Sequence, residues 1–176
     1  SSLECNIGGA NNTAHGSYAL RCNTTADGNV SVGYSSLTLN TTGGNNTAVG
    51  CAALCSNTTQ SNNTAIGFNA LFNSNASNNT AVGRDSLKNN TSGTSNVAMG
   101  KCALCANTTA SENTAVGLCS LKTNTTGASH TAVGAYALKS NTDGQANTAF
   151  GYSALCSNIG ADNNVAVGYR ALCANT

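Results

Sequence analysis

The chain has 176 residues, of which 7% are charged and 5% aromatic, with no Pro or Trp and a formal net charge of +1. So few Lys and Arg exclude the basic surface that nucleic acids and anionic membranes require of their partners. No apolar run approaches the roughly 20 residues of a membrane-spanning helix. Low charge combined with abundant Asn, Thr and Gly is also compatible with a disordered chain, so the periodicity of the sequence has to distinguish a folded chain from a disordered one.

A 17-residue repeat runs through the chain. Its marker is the Gly that closes motifs such as NTAVG, and consecutive markers are 17 residues apart, except for one interval of 16 between Gly67 and Gly83. A Leu follows each marker after four residues, and Leu3 fits the same place one period earlier. The markers are Gly16, Gly33, Gly50, Gly67, Gly83, Gly100, Gly117, Gly134, Gly151 and Gly168. A fixed period of this length without helical spacing predicts a solenoid.

Each repeat contains, in chain order, a short strand, a corner and a turn. NTAVG alternates and is rich in β-branched residues, and the later NTTG or NTDG is a turn former. The chain is therefore predicted to be all-β, a parallel β-solenoid (β-roll or β-helix) of about ten 17-residue coils. Residues 1–176 form a single domain without separate caps in this interpretation. At about 4.8 Å per coil the rod is roughly 50 Å long.

The columns of the repeat predict the interior. The residue before each Gly and the Leu column are expected to fill a thin core, with the Gly at a corner of positive φ or crowded backbone. The Asn four residues before the Gly, replaced once by His130, is expected to form a ladder of stacked amides. The column before the Gly is Val32, Val49, Ile66, Val82, Met99, Val116, Val133, Phe150 and Val167, with His15 in the first coil.

The NNTAVGxxALxxNTTG pattern resembles the NTAVGxxAL-type 17-residue repeats of phage-type tail-fibre proteins. It is also similar to the head repeats of trimeric autotransporter adhesins, which carry a shorter SVAIG unit. The resemblance covers nearly the whole chain and implies a parallel β-roll, often trimeric, that serves attachment. The nine cysteines of this chain depart from both families.

Several cysteines are one period apart, and residues one period apart lie on adjacent coils at a distance suited to a disulfide. Disulfides are therefore predicted for Cys5 with Cys22, Cys102 with Cys119, and Cys156 with Cys173, and within one coil for Cys51 with Cys55. Cys105 is then unpaired or bonds another subunit. Such bonds indicate an extracellular location, either secreted or on a cell or virion surface. The alternative is that the cysteines are small apolar fillers.

N-x-[ST] sequons are dense, and any carbohydrate partner would be covalent glycan at these sites. The turn column is the preferred set of acceptors because turns usually face solvent; it comprises Asn23, Asn40, Asn57, Asn90, Asn107 and Asn124. A second column contains Asn11, Asn45, Asn62 and Asn78, and Asn29, Asn75 and Asn89 are further sequons. The alternative is that Asn and Thr serve turns and ladders, and sequons follow from composition.

No catalytic or metal-binding residues are predicted, and neither an enzymatic activity nor a cofactor is expected. His15 and His130 substitute for other residues of the repeat, and the six carboxylates are scattered. The expected function is that of a structural subunit of an extracellular filament, which polymerises head-to-tail through open solenoid ends with copies of itself. The alternative is the shaft or receptor-binding part of a homotrimeric attachment fibre. An ice-binding solenoid, based on the column of Thr, is a third and weaker hypothesis.

Overall fold

The computed structural model describes residues 1–174, so the last two residues of the predicted domain 1–176 lie outside the described range. Within residues 1–174 there is no helix, and ten strands of three residues each occur. They are β1 (Thr13–His15), β2 (Val30–Val32), β3 (Thr47–Val49), β4 (Thr64–Ile66), β5 (Thr80–Val82), β6 (Val97–Met99), β7 (Thr114–Val116), β8 (Thr131–Val133), β9 (Thr148–Phe150) and β10 (Val165–Val167).

All ten strands form one parallel sheet, in which strands consecutive in the chain are also neighbours in space. The register advances by one repeat per strand, so that Thr47 in β3 pairs with Thr64 in β4. Between β4 and β5 the step is one residue shorter, yet Ala65 pairs with Ala81 and the register is kept. The predicted parallel β-solenoid of about ten coils is confirmed.

The middle residue of each strand points into the rod, because side chains alternate between the two faces of a strand. This residue is Ala in every strand except β2, where Ser31 takes its place, and it is fully buried from β2 to β9. The first and third residues therefore face outward. The expectation that the residues before each Gly fill the core is wrong: Ile66, Met99 and Phe150 are 40%, 42% and 55% exposed.

The Leu column supplies the larger part of the core. The nine leucines from Leu20 to Leu155 are fully buried and pack against the inward Ala of the strands. Every Leu of the column has a left-handed backbone, with φ between 47° and 52°. That conformation costs a non-glycine residue about 1–2 kcal/mol. Burying a Leu side chain contributes about 1.5–3 kcal/mol, so the burial offsets the backbone strain.

The repeated Gly is required by its position at the corner after each strand. Gly50 has φ of 133°, and a Cβ added there would lie 2.6 Å from the carbonyl oxygen of Gly67 in the next coil. Positive φ and a crowded backbone therefore coincide, as the repeat predicts.

Two ladders of polar side chains fill the rest of the interior. The first, which we call the strand ladder, is formed by the Asn or His130 four residues before each marker Gly. In it, Asn96 Oδ1 accepts the backbone N–H of Asn113 one coil later, and Asn96 Nδ2 donates to the Ala110 carbonyl. This is the predicted amide ladder, and it is confirmed. A second ladder, the turn ladder, was not predicted and comprises Asn23, Asn40, Asn57, Ser74, Asn90, Asn107, Asn124, Asn141 and Asn158, all fully buried.

The shortened repeat leaves a defect in both ladders. Ser74 replaces Asn in the turn ladder, and the turn that follows it contains one residue fewer than in the other coils. In the preceding coil, Asn57 Oδ1 and Asn63 Nδ2 are buried without a hydrogen-bond partner. In the coil before, Asn40 Oδ1 accepts from Asn57 Nδ2, but Ser74 has no side-chain amide to donate to Asn57 Oδ1. Asn46 Nδ2 donates to the turn carbonyl of Gln60, and the turn equivalent for Asn63 is the one that is one residue shorter.

Candidate functional surfaces of the rod

The outer side of the strands forms one flat surface, which we call the sheet face. Its first file is mostly Thr and its second file is the largely apolar column before the Gly, so the sheet face carries no Asp, Glu, Lys or Arg. Ten strands at about 4.8 Å spacing make it roughly 43 Å long. Met99 and Phe150 are the largest apolar side chains exposed on it, at 42% and 55%. The first file is Thr13, Val30, Thr47, Thr64, Thr80, Val97, Thr114, Thr131, Thr148 and Val165.

An aromatic strip follows the corner after the sheet face. Towards the C-terminal end, Tyr136 and Tyr152 meet edge to face at 5.8 Å, and Tyr152 stacks on Tyr169 at 5.4 Å. A groove of about 540 Å³ lies here, lined by Tyr136, Tyr152, Lys139, Cys156 and three serines (Ser140, Ser153 and Ser157). Aromatic rings beside hydroxyl groups and an ammonium suit a ligand with one apolar face and several hydroxyls, such as a sugar ring.

The turn-column sequons are not on the surface. Asn23, Asn40, Asn57, Asn90, Asn107 and Asn124 form most of the turn ladder and have 0% exposure. Asn107 is representative, since its Nδ2 donates both to Asn90 Oδ1 at 2.8 Å and to the Ala110 carbonyl at 3.0 Å. The expectation that this column faces solvent is wrong, because the chain turns around these side chains and closes over them. Asn29 is also buried, in the strand ladder.

One predicted disulfide is present and three are not. Cys156 and Cys173 are bonded across adjacent coils, with their Cα atoms 5.0 Å apart, as predicted. Contrary to the prediction, the remaining pairs are free thiols, namely Cys5 and Cys22, Cys102 and Cys119, and Cys51 and Cys55. Both bonded cysteines directly follow a Leu of the Leu column. Each of the other three pairs has at least one member at a different position of the repeat.

Cys105 is a free thiol that lies half-buried beside Cys102 and Cys119. Burial, followed by the proximity of Cys102, raises the pKa of Cys105 to about 11. Burial also raises the pKa of Cys55. The thiolate is the reactive form of a cysteine, so Cys105 is a poor nucleophile at neutral pH and poorly suited to the intersubunit bond considered for it.

The two histidines have different surroundings. His15 is exposed on β1, and His130 is buried in the strand ladder, where Nδ1 accepts the Asn147 N–H at 3.1 Å. Burial lowers the pKa of His130. Asp85 pairs with Arg84 and Lys88 on the surface. Within residues 1–174, no three His, Cys, Asp or Glu side chains are grouped as metal ligands.

A helix able to cross a membrane is not found in the described part of the chain. Comparison with protein-family models, with curated proteins and with solved structures finds no match to this chain.

Proposed function

We propose that this protein is a structural subunit of an extracellular filament, in which copies stack head-to-tail along the rod axis. The observation that carries the proposal is the complementarity of the two edges of the sheet. Within residues 1–174, β1 and β10 each pair on one side only, so that the described sheet has one open edge at each end. An open strand edge is a template for pairing with another chain, and stacking that does not close on itself produces a filament.

The open edges have complementary atoms. In each of the first nine strands the first N–H donates to a carbonyl of the next coil, as Thr13 does to Asn29 at 2.8 Å. The equivalent donor of β10, the Val165 N–H, has no such acceptor in residues 1–174, and the Asn12 carbonyl beside β1 has no donor there. A Val165 N–H of one copy therefore fits an Asn12 carbonyl of the next.

The same register defines what must move at a junction. If β10 of one copy pairs with β1 of the next in the usual 17-residue step, residues 1–5 of the second copy coincide with residues 170–174 of the first. One of these two segments has to leave its coil. A junction is therefore expected to release a short stretch of chain that the isolated rod holds in place.

The extracellular part of the proposal is supported by the Cys156–Cys173 disulfide. Disulfides form and persist in oxidising surroundings and are rare where glutathione and thioredoxin keep thiols reduced. A rod held by backbone hydrogen bonds and two polar ladders suits a load-bearing role, because every coil repeats the same contacts with its neighbours.

The direct test is electron microscopy of native, unreduced material. Long filaments one rod wide are expected, with no axial gap larger than the coil spacing. Ten coils at about 4.8 Å each make a rod of roughly 50 Å. Isolated rods of this length in a sample of folded, intact protein would overturn the proposal.

A substitution tests the edge contact itself. Val165→Pro removes the open N–H of β10 without removing a hydrogen bond between β9 and β10, since the bonds to β9 use other atoms. Filament assembly is expected to fail, while circular dichroism and the melting temperature stay close to those of the unchanged protein. Val165→Ile, which retains the N–H, is the matched control and should assemble. Normal filaments of the Pro variant would contradict head-to-tail pairing at this edge.

A homotrimeric attachment fibre is the second candidate, and the sheet face favours it. The apolar second file has no partner within the described chain, and side-by-side packing of three rods would remove it from water. The aromatic groove would then provide a receptor-binding site. A threefold cross-section in electron micrographs, together with a trimer mass in light scattering, would support this function in place of the single-rod filament.

A further inference from the structure

The fold separates most of the N-x-[ST] sequons into two structural classes. Asn75 and Asn89 belong to neither, since both are exposed and their Oδ1 atoms accept hydrogen bonds from Thr58 and Asn73 of the neighbouring coil. In the turn ladder both amide hydrogens of Asn107 are used inside the rod, on Asn90 Oδ1 and the Ala110 carbonyl. A glycan on Nδ2 would replace one of these hydrogens and would need space in a closed interior. A chain that received glycans there could not close the coil around them, so this class is excluded from the folded protein.

The second class is a file of exposed asparagines, which we call the acceptor file: Asn11, Asn45, Asn62 and Asn78. Each lies directly before a strand-ladder residue, and each has a left-handed backbone with φ between 57° and 63°. Within residues 1–174 their side-chain amides make no hydrogen bond, in contrast to the bonded amides of both ladders. The Thr hydroxyl two residues later lies on the outer face of the next strand, at Thr13, Thr47, Thr64 and Thr80.

We propose that the acceptor file is N-glycosylated and carries one line of glycans along the rod. The donor is an oligosaccharide joined to a lipid through a diphosphate. Asn Nδ2 forms a C–N bond to C1 of the first sugar and loses one proton. The C1–O bond to the diphosphate breaks, and the lipid diphosphate leaves with the bonding electron pair. The proposal rests on the extracellular location given under the proposed function, because the chain must enter a glycosylating secretory pathway.

The position of the file determines what the glycans cover. The acceptor file borders the Thr side of the sheet face, whereas the aromatic strip follows the strands on the opposite side. Glycans would therefore shield one margin of the sheet face and leave the groove at Tyr136 and Tyr152 open. Asn45, Asn62 and Asn78 lie on consecutive coils. The Cα atoms of Cys156 and Cys173, which also lie on adjacent coils, are 5.0 Å apart. Asn62, with a neighbour on each side, is expected to have the lowest occupancy.

The repeat contains its own matched controls. Asn163 lies in the same column, is exposed and has φ of 58°, but Val165 stands where the sequon needs Thr. Val also replaces Thr in this file at Val30 and Val97, so the fold accepts either residue. Thr64→Val therefore removes the Asn62 sequon at almost constant shape, and Val165→Thr creates a sequon at Asn163.

The first experiment is site mapping of the native material by enzymatic deglycosylation in ¹⁸O-labelled water and mass spectrometry of the peptides. Labelled Asp is expected at Asn11, Asn45, Asn62 and Asn78, and unlabelled Asn at the six turn-ladder sequons. An unlabelled acceptor file, or label in the turn ladder, would overturn the proposal.

The second experiment uses variants of the chain secreted from cultured eukaryotic cells. Thr64→Val is expected to lose one glycan and Val165→Thr to gain one, each visible as a single step in mass. Failure of Val165→Thr to gain a glycan would show that exposure and position do not select these sites, and would also overturn the proposal. Electron microscopy of the same native sample separates this result from the proposed function: filaments without glycans contradict only the modification, and glycosylated single rods contradict only the filament.

Discussion

His130 shows at the scale of one residue how the ladder can accept a different side chain. Its Nδ1 accepts the Asn147 N–H, as an Asn Oδ1 does elsewhere, and a hydrogen bond to the Gly144 backbone replaces the one that Asn Nδ2 makes. This arrangement requires the neutral imidazole. A proton on Nδ1 would face the Asn147 N–H, donor against donor. Asp162 is the charged group that acts on His130, and its carboxylate opposes the effect of burial only in part.

The lowered pKa of His130 predicts a dependence of stability on pH. An unfolded His has a pKa of about 6.5. Above that pH, His130 is neutral in both the folded and the unfolded chain, so it does not make the free energy of unfolding depend on pH. As the pH falls below that value, the unfolded chain binds a proton and the folded chain does not, so the free energy of unfolding decreases until the folded pKa is reached.

His130→Asn restores the ladder and is expected to remove this part of the acid sensitivity. The measurement is thermal unfolding of both proteins at pH 7.5 and pH 5. Each protein loses stability between the two pH values, and the difference between the two losses is the contribution of His130. The contributions of the carboxylates and of His15 cancel, because both proteins contain these groups. An equal loss of stability in the two proteins would contradict the assignment.

At the scale of one element, the corner between strand and Leu is the most constrained part of the coil. Two positions of this corner are left-handed without being Gly: the residue two before Leu, and Leu itself. The residue before each strand-ladder residue is left-handed as well, and it is Asn, Ser, Glu, Ala or Gly in different coils. The corner Gly differs from them, because its φ of about 130° lies outside the left-handed region that Asn or Leu adopts, and because the next coil leaves no room for a Cβ.

Gly50→Ala is accordingly expected to lower the free energy of unfolding by more than about 2 kcal/mol, through backbone strain and a clash with Gly67. Gly8→Ala is the matched control, since a Cβ at Gly8 meets nothing within 4 Å and its φ is not positive. Denaturant unfolding measures both. A Gly50 variant as stable as the control would show that the corner can relax.

At the scale of the whole molecule, each coil contacts only its neighbours, so stability is distributed along one dimension. The Cys156–Cys173 disulfide joins the last two described coils, where Leu172 is already 52% exposed. Its effect should therefore be local.

Replacing both Cys156 and Cys173 by Ser is expected to speed hydrogen exchange in residues 155–174. The free energy of local opening there should fall by up to about 3 kcal/mol, which is what closing a loop of this size contributes. The first eight coils should be unchanged. Cys55→Ser, a free thiol in the same column, is the control and should change little. A uniform increase in exchange along the rod would show that the coils unfold as one unit.

The sequence by itself determined which residues meet between coils. A 17-residue period places each residue beside its copy, so the parallel sheet, the strand ladder and the Gly corner follow from spacing alone. Spacing brought Cys156 and Cys173 together, but the equally spaced Cys5 and Cys22 are not bonded. The shortened interval at Gly67 and Gly83 also predicts where the stacking is imperfect, and the orphan atoms of Asn57 and Asn63 lie there.

Only the tertiary structure decided which columns face inward. Asn and Thr occur equally in turns, in ladders and on surfaces, so their periodicity does not distinguish a buried column from an exposed one. A signal was available in the turn column, which keeps Asn at Asn141 and Asn158 where no sequon follows, as a structural role demands. Three features depend on how the backbone closes one coil: the outward-facing second file, the buried Leu with positive φ, and the aromatic groove. The path of that closure is set by packing between the coils, which the spacing of the repeat does not describe.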